Sequence, residues 1–573
     1  MLKNIEKKAS SGIFLLFFLT WITACNPVPV TLKIAVTTDV HGMIYPQDFI
    51  SRNPSDHSLA HIYNYASRQR ANKDTIFFLL DNGDFLQGQP TVYYYNFIDT
   101  IHEHLSARVM NFMGYDAAAV GNHDIEAGPQ VYDRVRASLD FPWLAANAVN
   151  SKTGEPYFEP YTILIAGGKK IAVLGLITPG IPNWLPGNLW PDMEFRDMVS
   201  TAELWVPRIL EKEHPDLLVG LFHSGTNTSY GGDPEPFLNE NASYLVAEQV
   251  PGFHIVFAGH DHRVSCEYIL NCIGDTVLLV DPGSHGRFAG EATVSFGRNG
   301  LQISGKNVPM SGYKPSGAFL EKFAPEYEII SDYLDDTITW LAEDMNGEDA
   351  LFGPSSMMSL IHEVQLELTG ADISFTAPLS THGGLQAGPL LVSDMFKLYR
   401  YENMLYRMEL SGKEIDGFLE HAVGPWFNTM KGPGDHLLKF SPGDPGRLDA
   451  PSYNFSSAAG IRYTVDVRRE PGDRVFIETL SNGSPFNDST RYQVAVNSYR
   501  GTGGGGHLTA GAGIPGKELA GRITWSTDRD LRYYLMDYLS RKDTLHPWVD
   551  HNWSPVPVHL TGPASDSDRK VLD

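Results

Sequence analysis

Cysteine is nearly absent: the 573-residue chain holds three, Cys25, Cys266 and Cys272. So few exclude a disulfide-dense scaffold and a structural zinc site built on paired thiolates. Cys266 and Cys272 are close enough in sequence for a small-loop disulfide in an oxidising compartment, with two free thiols as the alternative. Positive charge is also short. Lys and Arg number 44 against 68 Asp and Glu, a formal net charge of −24, which repels nucleic-acid polymers and disfavours a basic groove. It leaves room for a small anionic substrate, because a bound dication sets its own local potential. Internal repeats and long low-complexity tracts are missing too. With 42% hydrophobic and 20% charged residues the composition is that of a globular protein, and the length suits two or three domains.

The N-terminus reads as a targeting segment. Lys3, Lys7 and Lys8 precede a short apolar run from Gly12 to Ile22, a signal h-region and not a membrane span. Ile22-Thr23-Ala24-Cys25 then matches a bacterial lipobox, which makes Cys25 the lipidated first residue of the mature chain. A plain signal peptide cleaved nearby is the alternative. The expectation is an exported protein, periplasmic or on the cell surface, whose only membrane contact is a lipid anchor on Cys25.

From Leu32 onward, short apolar runs end in polar residues. Leu32–Val36 leads to Asp39 and His41, and Ile76–Leu80 to Asp84. Ala117–Val120 leads to Gly121-Asn122-His123-Asp124, Leu217–Phe222 to His223, and Ile255–Ala258 to Gly259-His260-Asp261-His262. Ile171–Ile177 is a further run. Continuous apolar runs suit strands buried on both faces, and helical stretches between them give an α/β class. Such folds collect their sites at the C-terminal ends of the strands. Near residue 300 the character changes. Ala324 to Met345 reads as one amphipathic helix, with Tyr327, Ile330, Leu334, Ile338 and Leu341 at helical spacing. A second unit follows, richer in Gly, Pro and aromatics.

The strand-end residues offer carboxylate, imidazole and amide oxygen, a donor set for Mn, Fe, Co or Zn in a two-metal site. Asp84 is the natural bridging carboxylate. Asp39, His41, Asp84 and His262 would surround one ion, and Asp84, Asn122, His223 and His260 the other. Each motif alone is a common turn or a satisfied histidine; all five in order are specific.

Asp39-Val40-His41, Gly83-Asp84, Gly121-Asn122-His123-Asp124, His223-Ser224-Gly225 and Gly259-His260-Asp261-His262 resemble the calcineurin-like metallophosphoesterase signature. Tyr401-Glu402-Asn403, Leu410-Ser411-Gly412-Lys413, Ala459-Gly460-Ile461-Arg462-Tyr463 and the run from Asn497 to Gly506 resemble the 5′-nucleotidase C-terminal domain. The resemblance to the 5′-nucleotidase and 2′,3′-cyclic phosphodiesterase family covers nearly the whole mature chain. It implies a four-layer α/β/β/α sandwich over residues 30–310, a linker with the long helix over 311–346 and a smaller α+β substrate-binding domain over 347–560, after a signal peptide of residues 1–25.

The activity implied is hydrolysis of nucleotide phosphoesters by a hydroxide bridging two divalent ions. His123 would face the phosphate, to stabilise charge or protonate the leaving oxygen. In the family its partner is an acid three positions on, here Glu126, with Asp124 also near. Two aromatic rings sandwich the base in the family. Phe455 matches the first, with Tyr453 beside it; His507 stands at the second, with Tyr499 able to contribute. The phosphate-holding Arg of N-G-G-G-I-R is missing from Thr381-His382-Gly383-Gly384-Leu385-Gln386, and Arg400 is the candidate replacement. These departures favour 2′,3′-cyclic and 3′-nucleotides over 5′-monophosphates. Two other readings use the same scaffold: a sulfur-ester hydrolase of the SoxB type and a non-catalytic surface-binding protein.

Overall fold

The computed structural model describes residues 30–227, 239–297, 300–379, 381 and 384–572. Cys25 and the segment before it lie outside them, as do His382 and Gly383.

Two six-stranded sheets form the N-terminal unit. In the first, the strands Val30–Thr37, Ile76–Asp81, Ala117–Ala119 and Trp143–Leu144 run parallel, and Phe288–Gly297 and Gly300–Pro309 close one edge antiparallel. In the second, Lys169–Ile177, Leu217–His223, Ile255–Phe257 and Thr276–Pro282 run parallel between two antiparallel edge strands. Alternation along each strand divides its side chains between two cores. Leu32, Ile34 and Val36 of one sheet meet Val173, Val219, Leu221 and Phe257 of the other. The opposite faces take helices: Ala35 and Leu79 lie in the cluster that holds Leu59, Ile62, Val109 and Met110. Leu174, Leu218 and Val256 pack with Met198, Ala202, Val206 and Val246. Helix, sheet, sheet, helix is the resulting order, and burial on both faces explains the unbroken apolar runs.

The helix expected from Ala324 to Met345 is shorter. It runs from Ala324 to Asp335, and Thr337–Leu341 is a strand pairing with Gly388–Leu391 and Thr544–Leu545. Asp335 and Asp336 place negative charge at the negative end of the helix dipole, and Thr337-Ile338-Thr339 is β-branched. The spacing of Ile338 and Leu341 continued the helical period by coincidence.

The C-terminal unit is built on a mixed five-stranded sheet ordered Ser457–Ala459, Ile373–Thr376, Arg491–Asn497, Leu405–Ser411, Ile523–Ser526. Helix Ser356–Thr369 covers one face and helix Gly412–Val423 the other. Among the described residues no helix is long and apolar enough to cross a membrane.

Cys266 and Cys272 are free and exposed. Cys266 sits in the strand Val264–Leu270, and a rise of about 3.3 Å per residue alone puts about 13 Å between it and the strand end. Cys272 lies beyond that end, whereas a disulfide needs Cα atoms within about 7 Å.

Candidate active site

All the metal-type residues converge where the C-terminal edges of the two sheets meet. Asp39 and His41 follow Val30–Thr37, Asp84 follows Ile76–Asp81, and Asn122 opens the short helix after Ala117–Ala119. From the second sheet, His223 ends its own strand, and His260 and His262 follow Ile255–Phe257. The loops lock together through backbone bonds: Asp39 donates its amide to Gly83 (2.9 Å) and His41 to Asp84 (3.0 Å). Two glycines permit this approach. A Cβ on Gly121 would lie 2.1 Å from Asp84 Oδ1, and one on Gly259 would lie 2.1 Å from Thr38 Oγ1.

Two groups of donor atoms result: Asp39, His41 and His262 in one, Asp84, His223 and His260 in the other. In the first, the Nε2 atoms of His41 and His262 are 3.1 Å apart, and Asp39 Oδ1 is 3.3 Å from His262 Nε2. In the second, His223 Nε2 is 3.1 Å from both Asp84 Oδ2 and Asn122 Oδ1. Backbone carbonyls fix the tautomers. His223 Nδ1 donates to Asn82 O (2.7 Å) and His41 Nδ1 to Gln87 O (3.2 Å), so each Nε2 turns a lone pair inward.

The carboxylates are prepared in the same way. Asp39 Oδ2 accepts from Thr38 Oγ1 and from the His260 amide, and Asp84 Oδ1 accepts from the His123 amide. Asp39 Oδ1 and Asp84 Oδ2 are buried without a hydrogen-bond partner among the described residues. Burial opposes charge on Asp39, but His223, His262 and His41 hold it well below the usual carboxylate range. Buried anionic oxygens facing imidazole lone pairs are a fit for divalent cations.

The backbone is strained at the same place. Asp39, His41, Asp84, His260, His262 and His285 all adopt left-handed φ, between 49° and 78°. Each such non-glycine residue costs about 1 kcal/mol or more, and strain of this kind gathers at functional sites.

His123 belongs to neither group: its ring lies 5.4 Å from that of His41, and Glu126 binds its Nδ1. Burial opposes a proton on His123, yet the carboxylates of Asp84 and Glu126 outweigh it and hold the imidazole up at about 9. Asp124 does something else. Its Oδ1 accepts the amides of Phe85 and Leu86 (3.0 Å each), and its Oδ2 those of Asp84 (3.0 Å) and Gly121 (2.8 Å). It is therefore a scaffold carboxylate that shapes the Asp84 loop, and the catalytic role expected for it is withdrawn.

The expected base sandwich is corrected as well. Phe455 is 0% exposed and stacks on Trp426 at 4.9 Å, and His507 is 1% exposed. Both His507 ring nitrogens are taken, by Gly505 O and Asn454 O. Neither ring has a free face. Aromatic pattern alone could not separate a stacking ring from a core ring. Tyr453 and Tyr499 remain half-buried, and Arg500 ties their loops by bonding Tyr453 O, Asn454 Oδ1 and Gly504 O. Arg400 is exposed and lies within electrostatic reach of His285.

Three residues here escaped the sequence reading. Asn82 holds His223; Trp184 lies 5.5 Å from the His260 ring; His285 lies 5.4 Å from His41 and 5.9 Å from His262. His285 was findable, since it stands just past the strand Thr276–Pro282, as the other site residues stand past theirs.

Comparison with known proteins agrees with this geometry. Residues 32–264 match the family model for calcineurin-like phosphoesterase, and residues 337–511 that for the 5′-nucleotidase C-terminal domain. The chain thus joins a calcineurin-like phosphoesterase domain to a 5′-nucleotidase C-terminal domain. It is 26% identical to the trifunctional nucleotide phosphoesterase protein YfkN of Bacillus subtilis, over 93% of this chain but 39% of that protein. It is 25% identical to a 2′,3′-cyclic-nucleotide 2′-phosphodiesterase/3′-nucleotidase of Yersinia enterocolitica, over 94% of this chain and 90% of that one. A Staphylococcus aureus chain crystallised with α-ketoglutarate has the same fold at TM-score 0.75 and 23% identity, covering 92% of this chain and 99% of that chain. With both donor groups intact, this phosphoesterase is a metal-dependent hydrolase.

Proposed function

We propose that the protein hydrolyses nucleotide phosphoesters, with 2′,3′-cyclic and 3′-nucleotides preferred over 5′-monophosphates. The observation that carries the reading is the pairing of two intact donor groups with the His123–Glu126 pair beside them. Asp39, His41 and His262 would hold one ion, and Asn122, His223 and His260 the other, with Asp84 shared between them. When bound, two such dications supply neutralisation of the phosphate and a water acidified to near-neutral pH.

The chain's own residues do the rest. His123, oriented by Glu126, protonates the leaving oxygen. Arg400, exposed and within electrostatic reach of His285, would meet the phosphate from the C-terminal unit. Tyr453 and Tyr499 offer rings to the base, worth about 1–3 kcal/mol per stacked ring. The substrate preference draws support from the Yersinia enterocolitica relative, whose name states both the cyclic phosphodiesterase and the 3′-nucleotidase activity. Export and lipid attachment at Cys25 complete the proposal, supported by the basic, apolar and small-residue order of the N-terminus.

Consumption of 2′,3′-cyclic AMP, 3′-AMP and 5′-AMP, followed with metal-loaded and chelated enzyme, tests the reading. Activity with chelator in excess overturns the metal dependence, and a clear preference for 5′-AMP overturns the substrate order. Loss of membrane-fraction partition in Cys25→Ser tests the anchor.

A further inference from the structure

Glu402 is a buried carboxyl, 5% exposed, whose oxygens make no hydrogen bond among the described residues. The cation beside it is Arg532, whose Nη1 stands 3.7 Å away and is itself unpartnered. The remainder of that guanidinium is committed: Nε donates to Tyr399 O at 3.0 Å and Nη2 to Arg400 O at 2.7 Å. Its plane is clamped by the rings of Phe396 and Tyr93, at 4.1 and 4.8 Å. Tyr93 belongs to the phosphoesterase domain, so the segment 399–402 is pinned against the catalytic half. Glu126 and His123 act electrostatically on the Glu402 carboxyl, so it lies within reach of their charges.

Native proteins rarely leave buried polar atoms unmatched, and a substrate group is the natural match for such atoms in a catalytic cleft. A carboxyl repels a phosphate and accepts from a hydroxyl. Burial pushes Glu402 up to about 8 against the pull of Arg532, so at neutral pH it carries one donor and one acceptor, the complement of a hydroxyl. His123 serves the leaving oxygen, and in a 3′-nucleotide the 2′-hydroxyl is on the adjoining carbon. We propose that Glu402 binds the ribose hydroxyl next to the scissile ester and thereby selects ribose over deoxyribose. The assignment rests on the nucleotide reading above.

The test measures kcat/KM of manganese-loaded enzyme for adenosine 3′-monophosphate and 2′-deoxyadenosine 3′-monophosphate, in the wild type, Glu402→Ala and Glu402→Leu. Leucine fills the same volume without a polar atom, and reads the site should the alanine variant melt. The wild type favours the ribose substrate by about 10–100-fold, the usual scale for one buried hydrogen bond to a substrate hydroxyl. Both variants bring the ratio close to one. A wild type without the preference, or a leucine variant that keeps it, overturns the assignment. Wild-type enzyme that turns over neither substrate overturns the 3′-nucleotide reading on which the assignment rests.

Discussion

Glu126, not Asp124, holds Nδ1 of His123. The two acids are two residues apart on one short helix, and they face opposite ways because Asp124 is occupied by four backbone amides. Their substitutions should separate cleanly. Glu126→Gln keeps the fold and the metals but removes one of the two carboxylates that hold His123 up at about 9; bound dications neutralise the other, Asp84. A raised proton donor stays protonated until pH climbs through its raised value, so losing that support moves the alkaline limb of the kcat/KM profile to lower pH. Activity at pH 8 should fall about tenfold or more. An unmoved limb would show that Glu126 does not set the charge of His123.

Asp124→Asn should act on stability instead. An amide turns donors toward amide donors, and buried amides then lose acceptors at about 1–3 kcal/mol each. A melting curve checks this: the midpoint falls by several degrees, and metal content falls with it because the Asp84 loop loosens. A variant of wild-type stability would mean that the four bonds do not matter to the fold.

Asp84→Asn probes the bridge. Its Oδ2 is buried without a hydrogen-bond partner among the described residues, and removing its charge should cost occupancy at both ions and activity by about 10³-fold or more. Elemental analysis that still finds two ions per chain would remove Asp84 from the bridging role.

The sheets and the donor set were legible in the sequence for one physical reason. A strand buried on both faces is largely apolar, so the polar loop after it stands out, and Asp39, Asp84, Asn122, His223 and His260 all lie at or just past such an end. The domain beyond was less legible. Phe455 and Tyr499 are both aromatic residues, and only packing decides that one fills the core and the other stays half-buried. Glu402 stood in a recognisable motif, Tyr401-Glu402-Asn403, but nothing local marked it as a buried, unmatched carboxyl. Its surroundings are assembled from residues 93, 396 and 532, far apart in the chain, and no periodicity within one segment encodes that meeting.

Phe455 and Tyr499 supply a direct comparison. Phe455→Ala empties a fully buried site against Trp426 and should cost about 3–5 kcal/mol of stability. Tyr499→Ala should leave the melting point within a few degrees and raise KM for adenine nucleotides about 5–100-fold, from the loss of one stacked ring. KM values set against melting midpoints decide it. A Phe455 variant of normal stability with raised KM would restore the original sandwich.

Glu402 predicts a pH dependence of stability whose sign is fixed. Its folded-state value is pushed up to about 8 by burial, with Arg532 opposing, against about 4.3 in an unfolded chain. Below about pH 4 the carboxyl is neutral in both states, and its full contribution to stability is present. As pH rises from there, the unfolded chain gives up the proton while the folded protein keeps it. Stability is lost at up to about 1.4 kcal/mol per pH unit until the folded carboxyl also ionises near pH 8, and it levels off beyond. Glutamine has no proton to lose. In chelated protein, where metal affinity adds no pH dependence of its own, the melting point of Glu402→Gln should therefore gain on the wild type between pH 5 and pH 8, with the difference constant above. Equal differences at pH 5 and pH 8 would mean that Arg532, at 3.7 Å, keeps Glu402 ionised in the folded protein. The carboxyl would then act as an acceptor only.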